Sequence, residues 1–172
     1  MIAVAGAATL LLSVWLLLTR RVDTAARLCT LQALCAAVPL GDRMPAAAIL
    51  AFALNGVALP SAVMRMRDSP MLVPRGRVLL RWAVAFVLLV VTIVVLGNVG
   101  AGGTVATGTS VVLLGLLMAG LPGHPTLYLL SSQNGLLLVA GASPDLSVSA
   151  ALAVAVPVIP GLVLAEAAWL HP

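Results

Sequence analysis

The chain is expected to be all-α, an integral membrane bundle of about seven transmembrane helices forming one domain over residues 1–172. Three observations lead there. Of the 172 residues, 62% are hydrophobic and 8% charged, and the mean hydropathy is +1.19; no water-soluble domain of this size carries so little charge over so much apolar surface. Apolar runs of about 15 to 22 residues recur between short polar breaks, a length that suits helices crossing a hydrocarbon core of roughly 30 Å. The period-2 alternation of a membrane barrel is missing, and no polar stretch is long enough to fold a separate soluble domain.

The first segment, 2–19, is rich in Leu and carries Trp15 near its end, where an amphipathic ring favours an interface. Arg20 and Arg21 follow the apolar run rather than precede it, the reverse of a cleaved signal peptide, so the segment is read as retained. Arg20, Arg21, Asp23 and Arg27 form the first connection, and the second segment, 25–40, has Gln32 at its middle. Gly41-Asp42-Arg43 with Pro45 predicts a tight turn. The third segment, 45–64, contains Asn55-Gly56 and then Pro60, which removes a backbone hydrogen bond and predicts a kink there. A long connection with Arg65, Arg67, Asp68, Arg75, Arg77 and Arg81 precedes the fourth segment, 78–96. Gly97 to Gly108 reads as a flexible external loop, and it lacks the Gly-Lys-Ser/Thr ending of a phosphate-binding loop. The fifth segment is 109–121, the sixth 126–142 after Pro122-Gly123-His124-Pro125, and the seventh 146–170 after Ser143-Pro144-Asp145.

Charge then sets the expected topology. The chain has nine Arg and no Lys against four Asp and one Glu, a net charge of +4. No basic run is interleaved with aromatics, which argues against nucleic acid as a partner. With seven crossings, eight arginines fall on one side and only Arg43 on the other. The positive-inside tendency therefore puts the N-terminus outside and the C-terminus in the cytoplasm. Cys29 and Cys35 lie six positions apart on one helix, point to different faces and are read as buried, inert thiols.

An internal repeat is expected at an offset of 101, which lays Leu28 on Leu129, Gln32 on Gln133 and Val38 on Val139. Segments one to three would then be echoed by five to seven in the same orientation, a 3+1+3 arrangement with segment four as the joining span.

The inventory for catalysis is nearly empty. His124 sits in a Pro-Gly turn and His171 is next to last, so no His, Cys, Asp or Glu cluster has metal-ligand spacing. No catalytic residue, metal or cofactor is expected. Polar side chains inside the spans are amides: Gln32, Asn55 and the adjacent pair Gln133 and Asn134. An amide cannot take up and release a proton near neutral pH, so these are candidate contacts between helices. Gly97, Gly115, Gly120, Gly135 and Gly141 would let helices approach closely. Glu166 is the one carboxylate inside a predicted span and the one candidate for a residual proton relay.

The order of these features resembles a known family. Leu-Leu-Thr-Arg20-Arg21, then Arg27-Leu-Cys-Thr-Leu-Gln32-Ala-Leu, then Phe52-Ala-Leu-Asn55-Gly-Val-Ala-Leu-Pro60, and Gln133-Asn134-Gly135 after Leu-Leu-Gly115-Leu-Leu are similar to component E of hydrogenase-4. That family belongs to the membrane arm of formate hydrogenlyase and related energy-converting hydrogenases, and its later helices look like the K-type subunit of respiratory complex I. Where the family has Glu-Asn-Gly this chain has Gln133-Asn134-Gly135, and where it has a lysine before the proline this chain has Asn55. Family acids of the last helix fall near Val148 and Val154. The resemblance implies a non-catalytic subunit of a complex-I-like oxidoreductase in the bacterial inner membrane. It would serve as scaffold beside antiporter-like subunits and subunits that anchor quinone or hydrogenase. A small permease or exporter with a midplane site at the broken helices, and an assembly factor, are the competing expectations.

Overall fold

The computed structural model describes residues 2–19, 21–65, 102–119 and 125–145, with isolated helical positions at 83, 86, 87, 89–92, 94 and 149. These residues are helical apart from a few turn positions, with no strand among them. The elements are α1 (Ile2–Leu18), α2 (Val22–Gly41), α3 (Pro45–Arg65), α4 (Gly103–Ala119) and α5 (Pro125–Ala142). Two of them, α2 and α3, are long and apolar enough to cross a membrane. The expected fourth and seventh segments, with Glu166, lie largely or wholly outside the described residues.

Local chemistry moves two expected boundaries. Helix α2 begins at Val22, so Asp23 and Arg27 belong to the helix and not to the connection before it. A carboxylate in the first turn suits the positive end of the helix dipole, which favours the earlier start. Helix α4 begins at Gly103, so the second half of the supposed glycine loop is helical. Thr107 and Ser110 return their hydroxyls to the carbonyls of Gly103 and Ala106, at 2.7 and 2.9 Å, as hydroxyls inside a helix do. At Pro60 the expected loss of a backbone bond shows itself in the turn before it. Helix α3 runs through it, and the irregularity sits one turn earlier as a π-helical turn, Ala53–Ala58. In a regular helix residue 60 would donate to the carbonyl of Gly56; proline cannot, and the hydroxyl of Thr30 on α2 takes that carbonyl at 2.6 Å.

Helices α1, α2, α4 and α5 make a four-helix core, with α3 laid against α2 and touching α5. Helices α2 and α5 run parallel: Cys29 lies against Leu127, Gln32 against Ser131 and Asn134, and Pro39 against Gly141. The buried faces obey an internal repeat, but at an offset of 102. Gly6, Ser13 and Leu16 on α1 match Gly108, Gly115 and Met118 on α4. Ala25, Leu28, Cys29, Gln32, Ala33 and Pro39 on α2 match Leu127, Leu130, Ser131, Asn134, Gly135 and Gly141 on α5, all of them buried. The offset of 101 read from the sequence pairs buried Leu28 with exposed Leu129 and buried Gln32 with half-buried Gln133. On α1 and α4 the offset of 101 also pairs buried positions, Ala5 with Ala106, Thr9 with Ser110 and Leu17 with Met118; the offset of 102 is carried by α2 and α5, where Gln32 meets Asn134.

The antiparallel pair α4 and α5 touches backbone to backbone. A Cβ on Gly115 would fall 2.6 Å from the amide nitrogen of Ser132 and 2.7 Å from the carbonyl of Tyr128. One on Gly135 would fall 2.7 Å from the carbonyl of Gly108. The sequence reading placed Gly115, Gly135 and Gly141 at such contacts and missed Gly108, while Gly97 and Gly120 lie outside the described residues. Gly115→Ala and Gly135→Ala should each lower stability by about 1–3 kcal/mol, the usual range for overpacking. Gly103→Ala, with nothing within 4 Å of the added carbon, should be neutral. Unfolding of the detergent-solubilised variants measures both.

Candidate functional site

Five buried polar side chains of the core gather at one level. Apolar clusters flank it: Leu16, Leu28, Leu114, Met118 and Leu130 on one side, Ala36, Leu40, Ala51, Leu137 and Leu138 on the other. Between them stand Thr9 and Ser13 of α1, Gln32 of α2, and Ser131 and Asn134 of α5, all buried.

Gln32 is the hub. Its Nε2 donates to Oγ of Ser13 at 2.6 Å and to Oγ of Ser131 at 2.9 Å, with the carbonyl of Thr9 farther off at 3.4 Å. Its Oε1 accepts from Nδ2 of Asn134 at 3.3 Å, and the same Nδ2 donates to the carbonyl of Cys29, also at 3.3 Å. Carbonyls accept only, so the positions of the Cys29 and Thr9 carbonyls fix which end of each amide is nitrogen. The contact is reciprocal across the repeat. Gln32 bonds residue 131, the mate of Cys29, and Asn134, the mate of Gln32, bonds Cys29. The hydroxyls end the chain on backbone, Ser13 on the carbonyl of Thr9 and Thr9 on that of Ala5.

Of the expected contacts, Gln32 and Asn134 therefore meet directly. Gln133 does not join them: it is half-buried, and its Oε1 has no partner among the described residues. Adjacent helical residues point about 100° apart, so a neighbouring pair cannot both face one seam. Asn55 is wholly buried in the π turn, and neither of its amide atoms has a partner among the described residues. Ser13, Ser131 and Thr9 escaped the sequence reading, although Thr9 and Ser13 sit at the i, i+4 spacing that puts two hydroxyls on one face. Cys29 is buried with its thiol 3.5 Å from the carbonyl of Leu127, whereas Cys35 is only half-buried, and both are free.

The arrangement can hold helices in register, and it has no titratable member other than the Cys29 thiol at its edge. Among the described residues no three His, Cys, Asp or Glu side chains could share a metal ion. At the end of the core where α2 and α5 finish, Arg43 donates to the carbonyls of Ser143 and Pro144, tying the two exits together. No protein-family description, curated protein or solved structure matches this chain.

Gln32→Leu and Asn134→Leu should each cost about 1–3 kcal/mol, because each strands a buried partner. The double variant should fall short of the sum by about 0.5 kcal/mol or more, the mark of residues that touch. Strict additivity in a double-mutant cycle would show that the two amides do not interact.

Proposed function

We propose that this chain is a non-catalytic, multi-pass membrane subunit of a complex-I-like oxidoreductase of hydrogenase or formate hydrogenlyase type. It acts as scaffold between antiporter-like subunits and those that anchor quinone or hydrogenase. The observation that carries the reading is the core's polar level. A subunit on a proton route needs groups that ionise at membrane depth, and here the level is built from amides and hydroxyls whose donors end on carbonyls. The kind of complex follows from the resemblance to component E of hydrogenase-4, with Gln133 and Asn55 standing where that family carries charge.

Seven spans with the N-terminus outside and the C-terminus in the cytoplasm complete the proposal. Two features support it. Helix α3 ends and α4 begins at opposite ends of the core, the arrangement that a joining span between them requires. Arg21 and Arg65 stand at one end and Arg43 at the other, in line with the positive-inside tendency. The outward-facing Val4, Leu11, Leu31, Ile49 and Val57 suit lipid or neighbouring apolar helices.

Affinity purification of the tagged chain from native membranes should bring down antiporter-like and hydrogenase or dehydrogenase subunits in fixed ratio; recovery of the chain alone would overturn the proposal. Proton translocation by the intact complex should be unchanged by Glu166→Gln, and a loss would make that residue a relay. A second reading, a small permease, draws on the π turn and its unpartnered Asn55. Solute uptake by the reconstituted chain alone, abolished by Asn55→Leu, would select it over the scaffold.

A further inference from the structure

Two buried amides have polar atoms that the helical core does not satisfy. Asn55 is wholly buried, and both Nδ2 and Oδ1 are without a partner among the described residues. In Asn134, Nδ2 is committed to Gln32 and Cys29, and Oδ1 is without one. Asn134 and the π turn that carries Asn55 pack at the same turns of α2. Asn134 reaches Cys29 and Gln32, while the π turn is bonded to Thr30, and a Cβ on Gly56 would lie 3.3 Å from that of Ala33. The π turn also touches α5, the helix that carries Asn134.

The chemistry of the open atoms selects the ligand. A bare cation would suit the two oxygens but would be repelled by Nδ2 of Asn55, and the described carboxylates Asp23, Asp42 and Asp145 all stand at helix ends. An anion would suit Nδ2 and be repelled by both oxygens. A neutral group that both donates and accepts fits all three, and full burial leaves room only for a small one. We propose that Asn55 and Oδ1 of Asn134 line an internal water site between the π turn, α2 and α5. Water there accepts from Nδ2 of Asn55 and donates to the two oxygens. π-Helical turns recur where a helix gives up regular bonding to serve a site, and the one before Pro60 turns Asn55 inward. The site rests on the packing of the core and holds whether or not the chain is a subunit of a larger complex.

The sign of one substitution tests it. If Asn55 is hydrated, Asn55→Leu evicts the water and strands Oδ1 of Asn134, so the unfolding midpoint of the full chain in detergent falls. If the amide is dry, the same change removes an unsatisfied group and the midpoint rises or stays; either result overturns the proposal. Should the variant fail to fold, an experimental structure of the wild-type chain at a resolution that shows ordered solvent decides. Density within about 3.2 Å of Nδ2 of Asn55 supports the site, and a protein group or purely apolar contacts in that position refute it.

Discussion

The core depends on a requirement that burial imposes on amides: once away from water, each donor and acceptor must find a partner inside the protein. Gln32 meets it by reaching α1 and α5 at once, and Asn134 meets half of it by reaching back to Gln32 and Cys29. Apolar side chains alone would let parallel helices slide, because dispersion contacts are much the same at neighbouring registers. A hydrogen-bonded level between two apolar clusters removes that freedom, since a shift by one residue strands several polar atoms together. The glycine contacts between α4 and α5 act in the same direction, because only at this register do the backbones find each other instead of a side chain.

Helix existence was largely legible in the sequence because apolar run length reports it directly. Legibility failed where one residue type serves two purposes. Gly103 and Gly108 look like loop residues by composition, yet Gly108 is a contact point on a helix. Pro60 announces a lost backbone bond, yet nothing in the sequence announces the π turn, one turn earlier, that takes up the irregularity. Of the candidate amides, Gln32 and Asn134 were found as such. Their pairing was not, because the offset of 101 lays Gln32 on Gln133, whereas the hydrogen bond joins it to Asn134, 102 positions on. Asn55 shows the limit from the other side: a buried amide is visible in sequence, but whether anything answers it depends on the shape of a turn that no pattern announces.

Among the described residues the hydrogen-bonded level is built from amides and hydroxyls, with the Cys29 thiol at its edge, and this bears on what the proposed subunit would contribute to a complex. A level that cannot change charge does not shift its packing with pH or with the passage of protons nearby. In a machine whose neighbours cycle through charged states, such a member offers a fixed surface against which they move. The tie from Arg43 to the carbonyls that close α5 extends that rigidity to one end of the bundle.

The repeat is not perfect, and its flaw has a use. Positions equivalent at the offset of 102 differ by one methylene, Gln32 against Asn134, and by a hydroxymethyl group, Ser13 against Gly115. Gln32 reaches both α1 and α5, whereas Asn134 reaches α2 alone. The first half of the core thus carries most of the polar bonding, and the second half carries the close backbone approach at Gly108, Gly115 and Gly135.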